Sequence, residues 1–378
     1  MTIDHHGCVS RPSRRRCTAV TADTRHAGDH YAARVPIVLE VLSGVADFTR
    51  AELQRHLPAP RVLAVRDTEL EMEGAGLDDV RRLRTVVAAY LTLNFPIRKP
   101  RELLSSDRLK AIGAAFDEIC RQRPRQRFSS MRFSVAGAHT TEMSRFRAEL
   151  SAALNLPEEP VNGELLIRVR KHPDTATLWQ VLLRTTPRPL SARPWRVVNY
   201  PGAVNATIAA AVVDALDPGP DDEVVDLMCG SGTLVLERLA RCGTRRMVAC
   251  DISPVAIDAA KRNQRAARLK GAVEYHRADF RSLDRGGAGF GTLMANPPWG
   301  ELVGSHQEND VLYADLLHTA HRLAASRARL GVLTHDIKRF EAILAGNRHW
   351  SRVGVTRFFQ KGHHPRLYVL EHLARSVR

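Results

Sequence analysis

Four consecutive residues late in the chain, Asn296-Pro297-Pro298-Trp299, place an amide oxygen, a backbone carbonyl and a flat ring side by side. That set suits an exocyclic amino group on an aromatic base. Such an amine is a poor nucleophile, because its lone pair is delocalised into the ring. Acceptors on both N–H groups favour a pyramidal nitrogen, and the Asn296 side-chain oxygen and the Pro297 carbonyl can be those acceptors. The prolines restrain the loop and remove competing backbone donors. Trp299 can stack on the base, a contact worth ~1–3 kcal/mol. The plainer reading of the same residues is a Pro-Pro turn followed by a core tryptophan.

Seventy residues upstream, Asp226-Leu227-Met228-Cys229-Gly230-Ser231-Gly232-Thr233 has the form of a strand end, a glycine turn and a helix start. Glycines there let a cofactor approach the backbone closely. A dinucleotide fingerprint would need a third glycine, and Val235 stands in its place. Asp226 would repel a pyrophosphate but can accept from an amino-acid ammonium. S-adenosylmethionine therefore fits better, bound by Asp226, Gly230, Ser231 and Gly232. Asp251 follows at the spacing of a ribose-binding acid, with Ile252 beside it. Asp251-Ile252-Ser253-Pro254 also reads as a helix entry, Ser253 capping and Pro254 in the first turn, and both roles can hold together. Asp279 can accept from the adenine amino group, Phe280 can lie on the base, and Asn296 borders the cofactor. Methyl transfer to a positioned amine needs no metal, and none is expected.

The elements that must hold these residues alternate. Strands are expected over 223–227, 246–250, 273–276, 291–295, 330–333 and 366–370, with helices over 205–216, 234–241 and 255–269. That is α/β, a doubly wound, mostly parallel Rossmann-like sheet. Before it, 35–95 reads as a small βαββαβ unit and 101–190 as a second α+β unit, opened by an amphipathic helix near 102–121. Residues 1–34 lack apolar periodicity and read as a disordered basic leader. The run Arg121, Arg123, Arg125 and Arg127 can follow a phosphate backbone or form a solvated face. His363 and His364 can line a pocket mouth or simply be polar surface.

The chain has 378 residues, 44% of them hydrophobic, and 56 Lys plus Arg against 41 Asp plus Glu, a formal charge of +15. Its length fits two or three domains, and its charge suits a polyanion. Nucleic acid is favoured over membrane, since neither a basic amphipathic helix nor an apolar run of ~20 residues stands out. Six cysteines without Cys-x-x-Cys spacing give no zinc or iron-sulfur pattern. A reduced, cytoplasmic protein is expected.

From Val35 onward the chain resembles the THUMP-containing RNA guanine-N2 methyltransferases, tRNA branch. Val38-Leu39-Glu40-Val41-Leu42-Ser43-Gly44 is similar to the family's ferredoxin-like start. Met131–Val135, Leu165–Val169 and Arg193-Pro194-Trp195-Arg196 resemble its THUMP domain, and Gly362–Leu370 its last hairpin. The resemblance implies a class I methyltransferase domain over 195–378, behind a ferredoxin-like domain over 35–95 and a THUMP RNA-binding domain over 101–190. It implies that Asp226, Gly230, Gly232, Asp251 and Asp279 bind S-adenosylmethionine, that Asn296 to Trp299 hold the guanine, and that the substrate is tRNA; a monomer is expected. Leu227 stands where a proline is frequent, Trp299 where a tyrosine is commoner, and the leader has no counterpart. A guanine in a stem must be flipped out to react, with Trp299 as stacking partner. The alternatives are an rRNA guanine-N2 methyltransferase, a DNA adenine-N6 methyltransferase, a protein-glutamine methyltransferase and a non-catalytic RNA-binding adaptor.

Overall fold

The computed structural model describes residues 35–57, 60–135, 140–287, 289–298, 306–360 and 362–373, with the side chains of 306–308 excepted. The expected leader and Trp299 lie outside the described residues. Two compact units divide the chain, the first built mainly from 88–189 and the second from 39–70, 82–87 and 190 onward.

The N-terminal elements are β1 (Ile37–Glu40), α1 (Ala46–His56), β2 (Arg61–Arg66), β3 (Glu69–Glu73), α2 (Leu77–Val80) and β4 (Ala88–Phe95). A 3-10 turn (Pro100–Leu104) leads to α3 (Ser106–Gln122), β5 (Met131–Val135), α4 (Thr141–Leu154), β6 (Leu165–Lys171) and β7 (Trp179–Arg184). Within the first unit β7 pairs antiparallel with both β4 and β6, and β5 lies parallel to β6. The amphipathic helix is present as α3. It buries Ile112, Ala115, Phe116 and Ile119, and the Phe116 ring meets Phe128 edge-on at 5.7 Å.

The arginine run does not act as one surface. Arg123 is buried, its guanidinium donating to the carbonyls of Leu77 and Thr185, and burial lowers its pKa to about 10. Arg121 pairs with Glu118 one turn back, whereas Arg125 and Arg127 are exposed. The chain turns after α3, and Arg123 is drawn in to satisfy carbonyls of two segments distant in sequence.

The second unit continues with α5 (Ala206–Ala215), β8 (Glu223–Asp226), α6 (Thr233–Arg241), β9 (Arg246–Asp251), α7 (Pro254–Ala267), β10 (Glu274–Arg277) and β11 (Phe290–Ala295). It closes with α8 (His306–Leu323), β12 (Ala324–Thr334), α9 (Ile337–Ala345), β13 (Trp350–Arg357) and β14 (Arg366–His372). The strands lie in the order β10-β9-β8-β11-β12-β14-β13, the first five parallel and β14 antiparallel to both neighbours. The expected doubly wound sheet is there. Its central strands have apolar interiors, as expected where helices cover both faces. Val225, Leu293 and Leu330 pack in one cluster with Leu316, Leu317, Phe340 and Tyr368.

The sequence reading does not anticipate α8, α9 or β13. The last is an edge strand whose Ser351, Arg352 and Val353 all face solvent, so it shows no alternation of apolar and polar residues.

Residues 39–70 and 82–87 fall in this unit rather than with 88–95 for a visible reason. Glu52 on α1 accepts from the amides of Arg84 and Thr85 at 2.7 and 3.0 Å. Buried Glu237 on α6 accepts from Arg84 Nε at 2.6 Å and Arg193 Nε at 2.9 Å. Among the described residues no helix is long and apolar enough to cross a membrane.

Candidate functional site

The strand order reverses between β8 and β11. From β8 the chain moves outward through β9 and β10, whereas β11 starts the opposite wing. Such a switch point leaves a crevice at the carboxyl ends of the strands, where open α/β sheets bind ligands. Register places Asp226 opposite Met294, so Asn296 emerges two residues beyond the partner of Asp226. Leu227 N donates to Met294 O at 2.9 Å, tying the two strand ends together.

The glycine turn follows β8. Cys229 N bonds Cys250 O and Gly232 N bonds Cys229 O, both at 2.8 Å. Gly230 and Gly232 take φ of 53° and 80°. A Cβ on Gly232 would stand 3.2 Å from that of Ala260 on α7, a tight approach that, with the left-handed φ, favours a residue without a side chain.

Asp226 is completely buried. Oδ1 accepts from Met228 N at 3.4 Å, and Oδ2 has no hydrogen-bond partner among the described residues. Burial, helped by the nearby Asp251 charge, pushes its carboxyl up to about 8. Ser231 Oγ and Asn296 Oδ1 are likewise buried without a partner. An unsatisfied buried polar atom costs ~1–3 kcal/mol. Three around one crevice mark a place shaped for a ligand that donates hydrogen bonds. Cys229 is buried within the turn, and its thiol is pushed well above the ordinary range, first by burial and then by Asp226. It packs as a small side chain.

Asp251 performs the structural task and keeps room for another. Its Oδ2 accepts from Gly230 N at 2.8 Å and its Oδ1 from Ser253 N at 2.9 Å. Each oxygen retains a lone pair for a hydroxyl. Ser253 caps α7 through Ala256 N, with Pro254 in the first turn. Ile252 is 70% exposed, an apolar surface at the crevice side of β9. Pro297 is buried and Pro298 exposed.

The Asp279-Phe280 pair is arranged differently from the expectation. Phe280 is buried in the core cluster with the Arg281 guanidinium 4.9 Å above its ring, so it is not free to lie on a base. Asp279 caps a 3-10 turn through Arg281 N at 2.9 Å and pairs with Arg281 Nη1 at 2.8 Å. The apolar position at a turn start was claimed by the core.

One contributor escaped the sequence reading. Asn263 on α7 is fully buried and accepts from the amides of Val197 and Val198, both at 3.0 Å, while its Nδ2 donates to Ser231 O at 3.1 Å. It clamps the 195–204 segment onto the glycine turn. In this arrangement the Tyr200 ring lies 3.9 Å from where a Gly230 Cβ would be. The signal was present: Asn263 follows Ala256 and Ala260 on the buried face of α7, where an amide needs partners.

Residues 193–366 match the family model described as RMKL-like, methyltransferase domain (UPF0020). This segment is similar to the methyltransferase domains of that family. The chain is 27% identical over 195 residues to a tRNA (guanine(6)-N2)-methyltransferase of Methanocaldococcus jannaschii, covering 42% of this chain and 51% of that protein. It thus spans about half the length of that curated relative. The crystal structure of TrmN from Thermus thermophilus superposes with a TM-score of 0.72 at 23% identity, covering 90% of this chain and 100% of that one. SMU.472, a putative methyltransferase complexed with SAH, gives 0.64 at 16% identity over 91% of this chain and 99% of that one. Both likenesses concern the fold. The matched segment contains the Asp226 turn, Asp251 and Asn296.

Proposed function

We propose that this chain transfers a methyl group from S-adenosylmethionine to the exocyclic N2 of a guanine in tRNA, working as a cytoplasmic monomer. The observation that carries the proposal is the unpartnered, buried Asn296 Oδ1 at the switch point, beside the equally unpartnered Asp226 Oδ2. One is an acceptor for an amine, the other for an ammonium.

The cofactor supplies an electrophilic methyl group when bound. Asp226, once ionised, pairs with its ammonium, and Ser231 Oγ and the open Gly230 to Gly232 turn receive its amino-acid portion. Asp251 accepts from the ribose hydroxyls and Ile252 offers the base an apolar face. Asp279 remains the proposed neighbour of the adenine amino group. On the substrate side Asn296 Oδ1 and the Pro297 carbonyl take the two N–H groups of the amine, localising its lone pair. Pro298 stiffens the loop, and Trp299 is the proposed stacking partner of a flipped guanine. Positioning then accounts for the rate. Residues 35–95 and 101–190 are proposed as ferredoxin-like and THUMP domains that bind the RNA, with Arg125 and Arg127 on phosphates.

The support is the similarity to an archaeal tRNA (guanine(6)-N2)-methyltransferase, the methyltransferase domain match and the net charge of +15. The test is transfer of labelled methyl from S-adenosylmethionine to unmodified tRNA, rRNA and DNA, followed by nucleoside digestion and mass spectrometry. Label in N2-methylguanosine from tRNA is expected and should disappear with Asn296→Ala. Label in N6-methyladenine, or none in any nucleic acid, overturns the proposal.

A further inference from the structure

The carboxyl edge of the sheet carries rings that the proposed chemistry does not use. β11 pairs with β12 in parallel with Ala295 opposite Val332, so Pro298 and His335 each lie three residues past that pair. On the other side β14 runs antiparallel with Arg366 opposite Thr334, which brings His364 and His363 in beside the same edge. The His335 and His363 rings stand 5.4 Å apart, edge to face. The His364 ring lies 5.0 Å from Phe359. His363, His364 and Phe359 are exposed, Phe359 by 41%.

This patch is held firmly. Gln360 and His363 exchange reciprocal backbone bonds at 2.9 Å around Gly362, which takes φ of 85°. Phe358 beneath is fully buried, bonded to Pro365 O at 2.9 Å, and Phe359 N donates to Ser43 O at 3.2 Å. Arg339 pairs with Asp310 and Asp336, and Arg366 with Glu341. Burial, then His363 and His364, lowers the His335 pKa to about 4, so this ring is neutral at pH 7. A group of closely spaced rings, one of them neutral at pH 7, is well suited to an unstacked base.

We propose that His335, His363, His364 and Phe359 form a stacking platform for the nucleotide next to the methylated guanine, extending the Asn296 loop along the RNA. This rests on the proposed RNA methyl transfer. Flipping one base exposes the faces of its neighbours, and a platform at the same edge takes up one of them.

The test uses the full chain with Phe359, His363 and His364 replaced together by alanine, all exposed positions that spare the core, and a separate His335→Gln. Steady-state kinetics are measured against tRNA and S-adenosylmethionine at several salt concentrations. A 2-aminopurine is placed on either side of the methylated position. The triple variant should raise KM for tRNA by about tenfold or more, since loss of one stacked base weakens binding on that scale. KM for S-adenosylmethionine should stay within about twofold and the salt slope should be unchanged. One flanking 2-aminopurine should be quenched by the wild type and not by the triple variant, and His335→Gln should weaken the same quench. Unchanged tRNA KM and quench overturn the platform while leaving the proposed activity intact. A shallower salt slope makes these residues phosphate contacts and overturns it too. A wild type that methylates no RNA overturns the parent proposal and this one with it.

Discussion

Asp226 offers the sharpest quantitative test of the site. Its carboxyl is fully buried, with one oxygen unpartnered, and titrates near pH 8 instead of the ordinary carboxylate range. Between pH 4 and 8 the unfolded chain has therefore released a proton that the folded chain still holds. Stability must fall as pH rises through that window, by up to about 1.4 kcal/mol per pH unit, and level off above pH 8, losing roughly 2 kcal/mol between pH 6 and 8. Asp226→Asn keeps the shape and removes the titration. Differences in unfolding free energy between variant and wild type then cancel the other groups and isolate this one: the variant should gain roughly 2 kcal/mol relative to wild type from pH 6 to 8. A ligand carrying an ammonium selects the ionised carboxylate, so wild-type affinity for S-adenosylhomocysteine should rise by up to about tenfold per unit over the same range. The variant should lose about 2–5 kcal/mol of that affinity, the usual penalty for removing one partner of a buried charge pair. Denaturant unfolding at pH 6, 7 and 8, with calorimetric titration of S-adenosylhomocysteine, measures both. If the variant tracks the wild type across pH, or binds the ligand equally well, Asp226 is not the ammonium partner.

Other outcomes follow from single positions. Gly232→Ala should destabilise the fold by about 1–2 kcal/mol from its left-handed backbone, with more from the 3.2 Å approach to Ala260, and thermal unfolding should show it. Asn263→Ala strands the amides of Val197 and Val198, so limited proteolysis should cut within 195–204 and KM for the cofactor should rise, while RNA affinity holds. Arg123→Ala should lower stability by about 1–3 kcal/mol for the carbonyls it deserts. By contrast, Arg125→Ala with Arg127→Ala should leave melting unchanged and reduce both RNA affinity and its salt slope.

The sequence by itself determined the chemistry that is local along the chain. The glycine turn, the Ser253 cap with Pro254 and the alternation of apolar strands with helices each depend on neighbours a few residues away, and the structure contains all three. The same holds for the pairing of an amide oxygen with prolines at a strand end. What only the tertiary structure decided are matters of who else competes for a group. Phe280 has the character of a base platform, yet at the start of the 3-10 turn after Asp279 it packs into the core with Val225, Leu293 and Leu316. Arg123 looks like its neighbours in the run, yet distant carbonyls of Leu77 and Thr185 claim its guanidinium. Asn263 gained its role from a segment more than sixty residues away, and Asp226 gained its raised pKa from complete burial. Spacing can place a functional group at a strand end. Burial and long-range partners decide whether that group remains available.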